Sequence, residues 1–188
     1  MRTVTITFCA CFSIFLSSIL NAGPNVVDLT KEIPPAEPTY LGQGTHVNPE
    51  GDTITADNRS FFFNDQPWVP VAGEFQYSRY PVAEWQDELL KMKAGGIEIV
   101  STYVFWIHHE EQQGQFNWSG RRSLRQFVKL CDELEFKVIV RLGPWCHGEV
   151  RNGGFPDWVQ NSGTKLRTTD PAFMAMVEPL YAEIAEQI

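Results

Sequence analysis

Basic residues are scarce in this chain and nowhere gathered into a cluster. Lysine and arginine total 15 against 23 aspartates and glutamates, a formal net charge of −8. Proteins that bind nucleic acid present a basic stripe or patch, so nucleic acid is not an expected partner. Long apolar runs are missing too, with one exception: "VTITFCACFSIFLSSIL" at Val4–Leu20. Arg2 gives that run a positive flank, and "NAG" at Asn21–Gly23 offers a cleavage point after Ala22, although Leu20 is large where a small residue is preferred. The run is short for a membrane span, so residues 1–22 read as a secretory signal peptide, with a signal anchor as the alternative. The expected location is outside the cytoplasm (secreted, periplasmic or lysosome-like), with no membrane contact after cleavage.

Cysteine is sparse as well. Cys9 and Cys11 leave with the first segment, which leaves Cys131 and Cys146. Cys131 falls on the apolar side of a predicted helix and is expected to pack as a small hydrophobe, not to form a disulfide. Cys146, His147 and Glu149, with His108 and His109, offer the right ligand types for zinc. The spacings that mark a metal site, HExxH or paired CxxC, are absent. If the segment stays extended, His108 and His109 point in different directions. We expect no metal and no cofactor.

What the chain does have is apolar and aromatic material, 43% and 13% of its residues, enough for a packed core. Residues 23–52 are rich in Pro, Gly, Thr and Asn without a sustained period and read as an exposed leader. From Thr53 a pattern sets in. "SFFF" and "WVPVAGEF" predict two strands around the turn "NDQP". Pro81–Gly96 predicts a helix with Val82, Trp85, Leu89 and Met92 on one stripe and Gly95-Gly96 as its stop. Ile97–Trp106 predicts a buried strand, Arg121–Leu134 a helix, and Lys137–Leu142 the next strand. Asp170–Ile188 predicts a third helix, capped by Asp170 and kinked or divided at Pro179.

This is β-α-β-α-β-α with strands apolar on both faces, so a parallel sheet covered by helices is expected. A closed eightfold β/α barrel takes about 250 residues. The 120 residues from Val69 onward hold about four of its units. The expected fold is therefore α/β: a partial (β/α)8 TIM barrel of three to four units, truncated at the C-terminus, with residues 53–188 as the N-terminal portion of a catalytic domain. A complete small open α/β sheet fits the same pattern.

In such folds the working groups lie on loops after the C-terminal ends of strands. After strand one come Glu74, Gln76, Tyr77 and Arg79. After strand two come Tyr103, Trp106, His108, His109, Glu110 and Glu111. After strand three come Trp145, Cys146, His147, Glu149 and Arg151. Aromatic rings pack on the C–H faces of a sugar and carboxylates accept from its hydroxyls, so a sugar or other polyol suits this set. Each residue also has a plain structural use: Glu149 as partner of Arg79, Arg141 or Arg151, Trp106 and Trp145 as filling, Glu110 and Glu111 as solvated charges.

Several motifs occur together and in order: "YSR", a Trp-bearing helix, "TYVFW" followed by His-Glu, "VRLGPW", and a Glu shortly before "GGFPDW". This set, over roughly Val69–Ile188, resembles the N-terminal part of family 35 glycoside hydrolases, the (β/α)8 β-galactosidases. The resemblance implies that Tyr103 contacts galactose and that Glu149 binds sugar hydroxyls. The family usually has Cys-Ala before that glutamate. Here His147 and Gly148 stand there, Cys146 lies one place earlier, and Gln76 replaces a common histidine. With Trp145, the candidate substrate-binding residues are Tyr103, Trp145, His147, Gly148 and Glu149, and the expected partner is a galactoside or oligosaccharide.

The family hydrolyses with retention, using an acid/base glutamate in an Asn-Glu motif after strand four and a nucleophile after strand seven. Their carboxyls stand about 5–5.5 Å apart. No Asn-Glu dipeptide occurs in the 188 residues. Both catalytic glutamates are thus expected beyond Ile188, and the isolated chain is expected to be inactive. Alternatives are a non-catalytic carbohydrate-binding product, a different β/α hydrolase with Glu149 as acid, or a metal-dependent hydrolase sensitive to chelators. Asn58 and Asn117 lie in glycosylation sequons.

Overall fold

The computed structural model describes Thr30, Pro34, Pro35, Glu37 and residues 46–188. The predicted signal peptide, residues 1–22, lies outside the described residues.

An antiparallel meander comes first: β1 (Ile54–Ala56), β2 (Phe61–Phe63) and β3 (Gln66–Trp68), paired Ile54 to Phe63 and Phe61 to Trp68. Asn64 and Asp65 join β2 to β3 with φ of 48° and 61°. Two successive left-handed residues match the twist of a hairpin, which is why Asn and Asp serve there. The apolar run expected as one second strand is divided in two. Pro70 brings no N–H to a ladder, so β3 ends before it and β4 (Ala72–Glu74) belongs to a different sheet. Val47 and Thr53 form a further antiparallel bridge ahead of β1.

The second sheet is parallel, in the order β4, β5 (Ile99–Tyr103), β6 (Lys137–Arg141). Helix α1 (Val82–Ala94) crosses from β4 to β5, with Pro81 at its cap, one place earlier than its expected role as first helical residue. The strand expected over Ile97–Trp106 stops at Tyr103. Phe105 accepts from the His108 amide, and the chain coils into a single helical turn, α2 (Trp106–His109). Helix α3 (Leu124–Glu133) starts three residues later than expected, because the Ser123 hydroxyl accepts from the Gln126 amide at 3.3 Å and sets the cap. Gly120–Arg122 before it is a 3-10 turn. After β6 come the short α4 (Asp157–Gln160) and the long α5 (Pro171–Gln187), capped by the Asp170 carboxylate on the amides of Ala172 and Phe173. Helix α5 runs through Pro179 as one element. Pro179 and Ala175, whose carbonyl loses its helical donor, are both exposed, so water can serve that carbonyl.

Parallel pairing fixes which side chains share a face. Gly73, Val100 and Val138 form one row; Val100, Val138 and Val140 pack into the core against the helices. Trp85 and Leu89 of α1, Leu124, Phe127 and Cys131 of α3, and Phe173, Val177, Leu180 and Ile184 of α5 complete that core. The opposite face carries the row Glu74, Ser101, Ile139 and, one step on, Tyr103 beside Arg141. On this face Ser101 and Tyr103 are buried and Ile139 is 47% exposed. No helix among the described residues is long and apolar enough to cross a membrane.

Candidate functional site

Glu74, Tyr103 and Arg141 are the last residues of β4, β5 and β6. The register sets Tyr103 and Arg141 side by side on the face away from the helices. The Arg141 guanidinium lies 3.7 Å from the centre of the Tyr103 ring. It donates to the Tyr103 hydroxyl and to Glu74. Gln76 closes the group: its carbonyl oxygen accepts from the Tyr103 amide at 2.9 Å, and its amide nitrogen meets the second Glu74 oxygen at 3.4 Å. The His147 amide donates to the Tyr103 hydroxyl at 3.1 Å. The ends of β5 and β6 and the loop after β6 thus meet at one phenol oxygen, and the end of β4 joins them through Arg141.

The loop from Leu142 to Pro156 is shaped by glycines that only glycine serves well. Gly143, Gly153 and Gly154 have φ of 84°, 61° and 87°. A Cβ on Gly153 would stand 2.1 Å from the Trp145 ring, and one on Gly154 3.1 Å from Cys146 Sγ. The Cys146 amide donates to the Gly153 carbonyl at 2.8 Å, so the loop folds back on its own start. Arg79 fastens it to the β4–α1 connection by donating to the Glu149 carbonyl oxygen at 2.7 Å. That is the bond Glu149 makes with an arginine, through its backbone. Arg141 pairs with Glu74 and Arg151 with Asp157. The Glu149 carboxylate has no protein partner among the described residues and is exposed, as are His147 and Gly148. Trp145 is half-buried beneath this loop, with Arg167 4.4 Å from its ring centre, Phe155 at its edge and Gly153 against its ring. Of the five candidate residues, the structure joins Tyr103 to the His147 backbone, leaves Gly148 and Glu149 open to solvent, and packs Trp145 within the chain.

The His-Glu segment has a different character. Because α2 is helical and not extended, His108 and His109 diverge by a helical step. His109 is fully buried, stacked on Trp118 at 4.2 Å, with Nε2 2.8 Å from the Tyr77 hydroxyl and Nδ1 3.2 Å from the Asn117 carbonyl. A carbonyl only accepts, so the proton is assigned to Nδ1 and Nε2 accepts from Tyr77. Burial pulls the imidazole down to about 4, and burial also pushes the Tyr77 phenol up. Glu110 is 3% exposed, and both its oxygens are taken, by Trp106 Nε1 at 2.6 Å and the Gly114 amide at 2.7 Å. It is a structural carboxylate. His108 is half-buried, held through Nδ1 at 3.0 Å from the Ser78 hydroxyl; burial first, then the charges of Arg122, Arg121 and Arg79, lower its proton affinity. An open cavity of about 300 Å³ lies beside His108, Gln112, Gln115, Asn117 and Arg122, apart from the Tyr103 cluster.

Among the described residues no three His, Cys, Asp or Glu side chains gather closely enough to hold a metal ion. Cys131 and Cys146 are free and buried, and burial pushes their thiols up to about 12 and about 11. Cys131 packs in the core between helix and sheet. Sequence reasoning gave Arg141 no role of its own. The available signal was a single arginine ending the apolar run "KVIV", since a charge on a buried strand is seldom without a partner.

Comparison with known proteins agrees with the motif-based resemblance. The family model of glycosyl hydrolases family 35 matches residues 60–188. A β-galactosidase from Canis lupus familiaris is 39% identical over 127 residues, 67% of this chain and 19% of that protein. One from Bos taurus is 38% identical, over 75% of this chain and 22% of its own length. An exo-β-D-glucosaminidase from Pyrococcus horikoshii is 38% identical, over 64% of this chain and 16% of its length. The chain thus spans about a fifth of the length of these relatives. A solved exo-β-1,4-mannosidase from Opitutaceae bacterium strain TAV5 superposes at a TM-score of 0.47 with 20% identity, over 64% of this chain and 22% of that one, a likeness too slight to argue from. With the family model matched across more than half of its length, this protein belongs to glycosyl hydrolases family 35.

Proposed function

We propose that these strand ends form part of the galactose-binding rim of a retaining β-galactosidase built on a (β/α)8 barrel, of which residues 53–188 are the N-terminal portion. In this reading residues 1–22 direct export. Tyr103 and Glu149 bind sugar hydroxyls, with His147 and Gly148 lining the loop and Trp145 supporting it. The acid/base and the nucleophile are not among these 188 residues, and the hydrolysis needs no cofactor. The observation that carries the reading is the convergence of Glu74, Gln76, Tyr103 and Arg141 at the C-terminal ends of three adjacent parallel strands, the end at which β/α barrels bind their substrates. The Glu149 carboxylate, exposed and without a partner among the described residues, lies on the loop whose His147 amide reaches Tyr103 and is free to accept from a ligand.

The test uses the purified chain with p-nitrophenyl β-D-galactoside and, separately, galactose binding by ligand-observed NMR. The expected result is no turnover together with measurable binding. Glu149→Gln weakens binding about tenfold or more, the worth of a charge-assisted hydrogen bond. Turnover by the chain itself would show that it holds a catalytic acid, with Glu149 the first candidate. Absence of galactose binding would refute the rim. Parallel titration with glucosamine separates the galactosidase reading from the specificity named for the archaeal relative.

A further inference from the structure

The polar cluster at Tyr103 contains an imbalance of donors and acceptors. A phenol oxygen accepts through its lone pairs and donates one proton. On the accepting side Tyr103 receives the Arg141 guanidinium and the His147 amide. On the donating side, no acceptor among the described residues is hydrogen-bonded to it, and Glu74 is engaged by Arg141 and Gln76. The ring itself offers little to a ligand. Tyr103 as a whole is 4% exposed, with Arg141 over its ring and Phe105 stacked at 6.0 Å.

We infer that Arg141, held by Glu74, is a positioning residue that makes the Tyr103 hydroxyl an obligate donor to a sugar oxygen. The inference rests on the proposed sugar site and adds the direction of the bond. Glu74 fixes Arg141 through a charge-assisted contact, and Gln76 ties Glu74 to the Tyr103 backbone. Accepting from a cation polarises the phenol O–H and strengthens the bond it gives onward. A sugar hydroxyl meeting Tyr103 is therefore read as an acceptor, and its own proton must go elsewhere. The free Glu149 carboxylate on the neighbouring loop is an acceptor of the kind required. The site then discriminates among sugars by which hydroxyl can accept from Tyr103 and donate away from it.

The direction can be tested with ligands alone. Methyl β-D-galactoside is compared with its 2-, 3-, 4- and 6-deoxy and deoxyfluoro analogues by NMR titration of the unaltered chain. Fluorine retains an acceptor and loses the donor; hydrogen loses both. At the position facing Tyr103 the fluoro compound is expected to bind about tenfold more tightly than the deoxy compound, the scale of one hydrogen bond left unmade at a covered site. Arg141→Met removes that preference, Arg141→Lys keeps part of it, and a merely structural role for Arg141 would lower all the affinities together. Equal binding of fluoro and deoxy analogues at every position, with Tyr103→Phe still weakening the galactoside, overturns the donor assignment and leaves the site standing. Unchanged galactoside binding in Tyr103→Phe overturns the site and this inference with it.

Discussion

Gly153→Ala probes the loop after β6 at its tightest point. Two costs can be separated. Gly153 sits at φ 61°, ψ 27°, a left-handed conformation that costs an L-residue about 1–2 kcal/mol. The added methyl would also stand 2.1–2.3 Å from three atoms of the Trp145 ring, well inside the ordinary carbon contact of about 3.5–4.0 Å. Arg167 and Phe155 flank that ring, so it can move only by disturbing them, an overpacking cost of about 1–3 kcal/mol. The expected loss is about 3 kcal/mol, or about 6–12 °C in Tm for a chain of this size, read by thermal unfolding in the near-UV. Gly148→Ala is the control: its methyl meets nothing within 4 Å, and the effect expected is under about 0.5 kcal/mol. In a Trp145→Leu background, where the overlap is gone, Gly153→Ala should cost only the backbone part relative to Trp145→Leu alone. Because the loop presents the His147 amide to Tyr103, the proposed galactoside binding should fall together with stability. A Gly153→Ala chain as stable as its parent would refute the argument, since neither cost could then exist.

Two other expectations concern the core and its caps. The His109 imidazole titrates near 4 in the folded chain and near 6.5 when unfolded, so the unfolded state takes up the proton first as the pH falls. Its contribution is whole above about pH 6.5 and is lost toward pH 4, for a total of about 3 kcal/mol; urea midpoints should fall across that window, and His109→Gln should flatten the fall. Ser123→Ala removes the acceptor from the Gln126 amide and should cost about 1 kcal/mol by urea denaturation; a loss under about 0.3 kcal/mol would mean that water caps α3 equally well.

Elements with a strong period could be read directly. The stripe Val82, Trp85, Leu89 and Met92 packs inward on α1, and Asp170 caps α5, because helix periodicity and capping are local properties. The chain is harder to read where non-local contacts decide. The run after Trp68 is divided between two sheets, a choice made by which strands are available to pair. Glu110, expected as a solvated charge if not functional, is instead closed by α2 into a buried pair with Trp106, which fills the interior as its plain reading had it. Trp145, read as a candidate sugar contact, is enclosed by Gly153, Arg167 and Phe155, partners up to 22 residues away along the chain.

The order of residues along the chain determined the α/β class, the three long helices α1, α3 and α5 with the Asp170 cap, the glycine-shaped loop after β6 and, through its motifs, the family. These follow from periodicity, turn chemistry and a linear pattern, none of which needs a distant partner. The joining of Glu74, Arg141, Tyr103 and Gln76 was decided in three dimensions. These four come from three strand regions spanning 67 positions, and one parallel register brings them together. A slip of one residue in that pairing would turn Arg141 to the other face of the sheet, leaving the same sequence without the cluster.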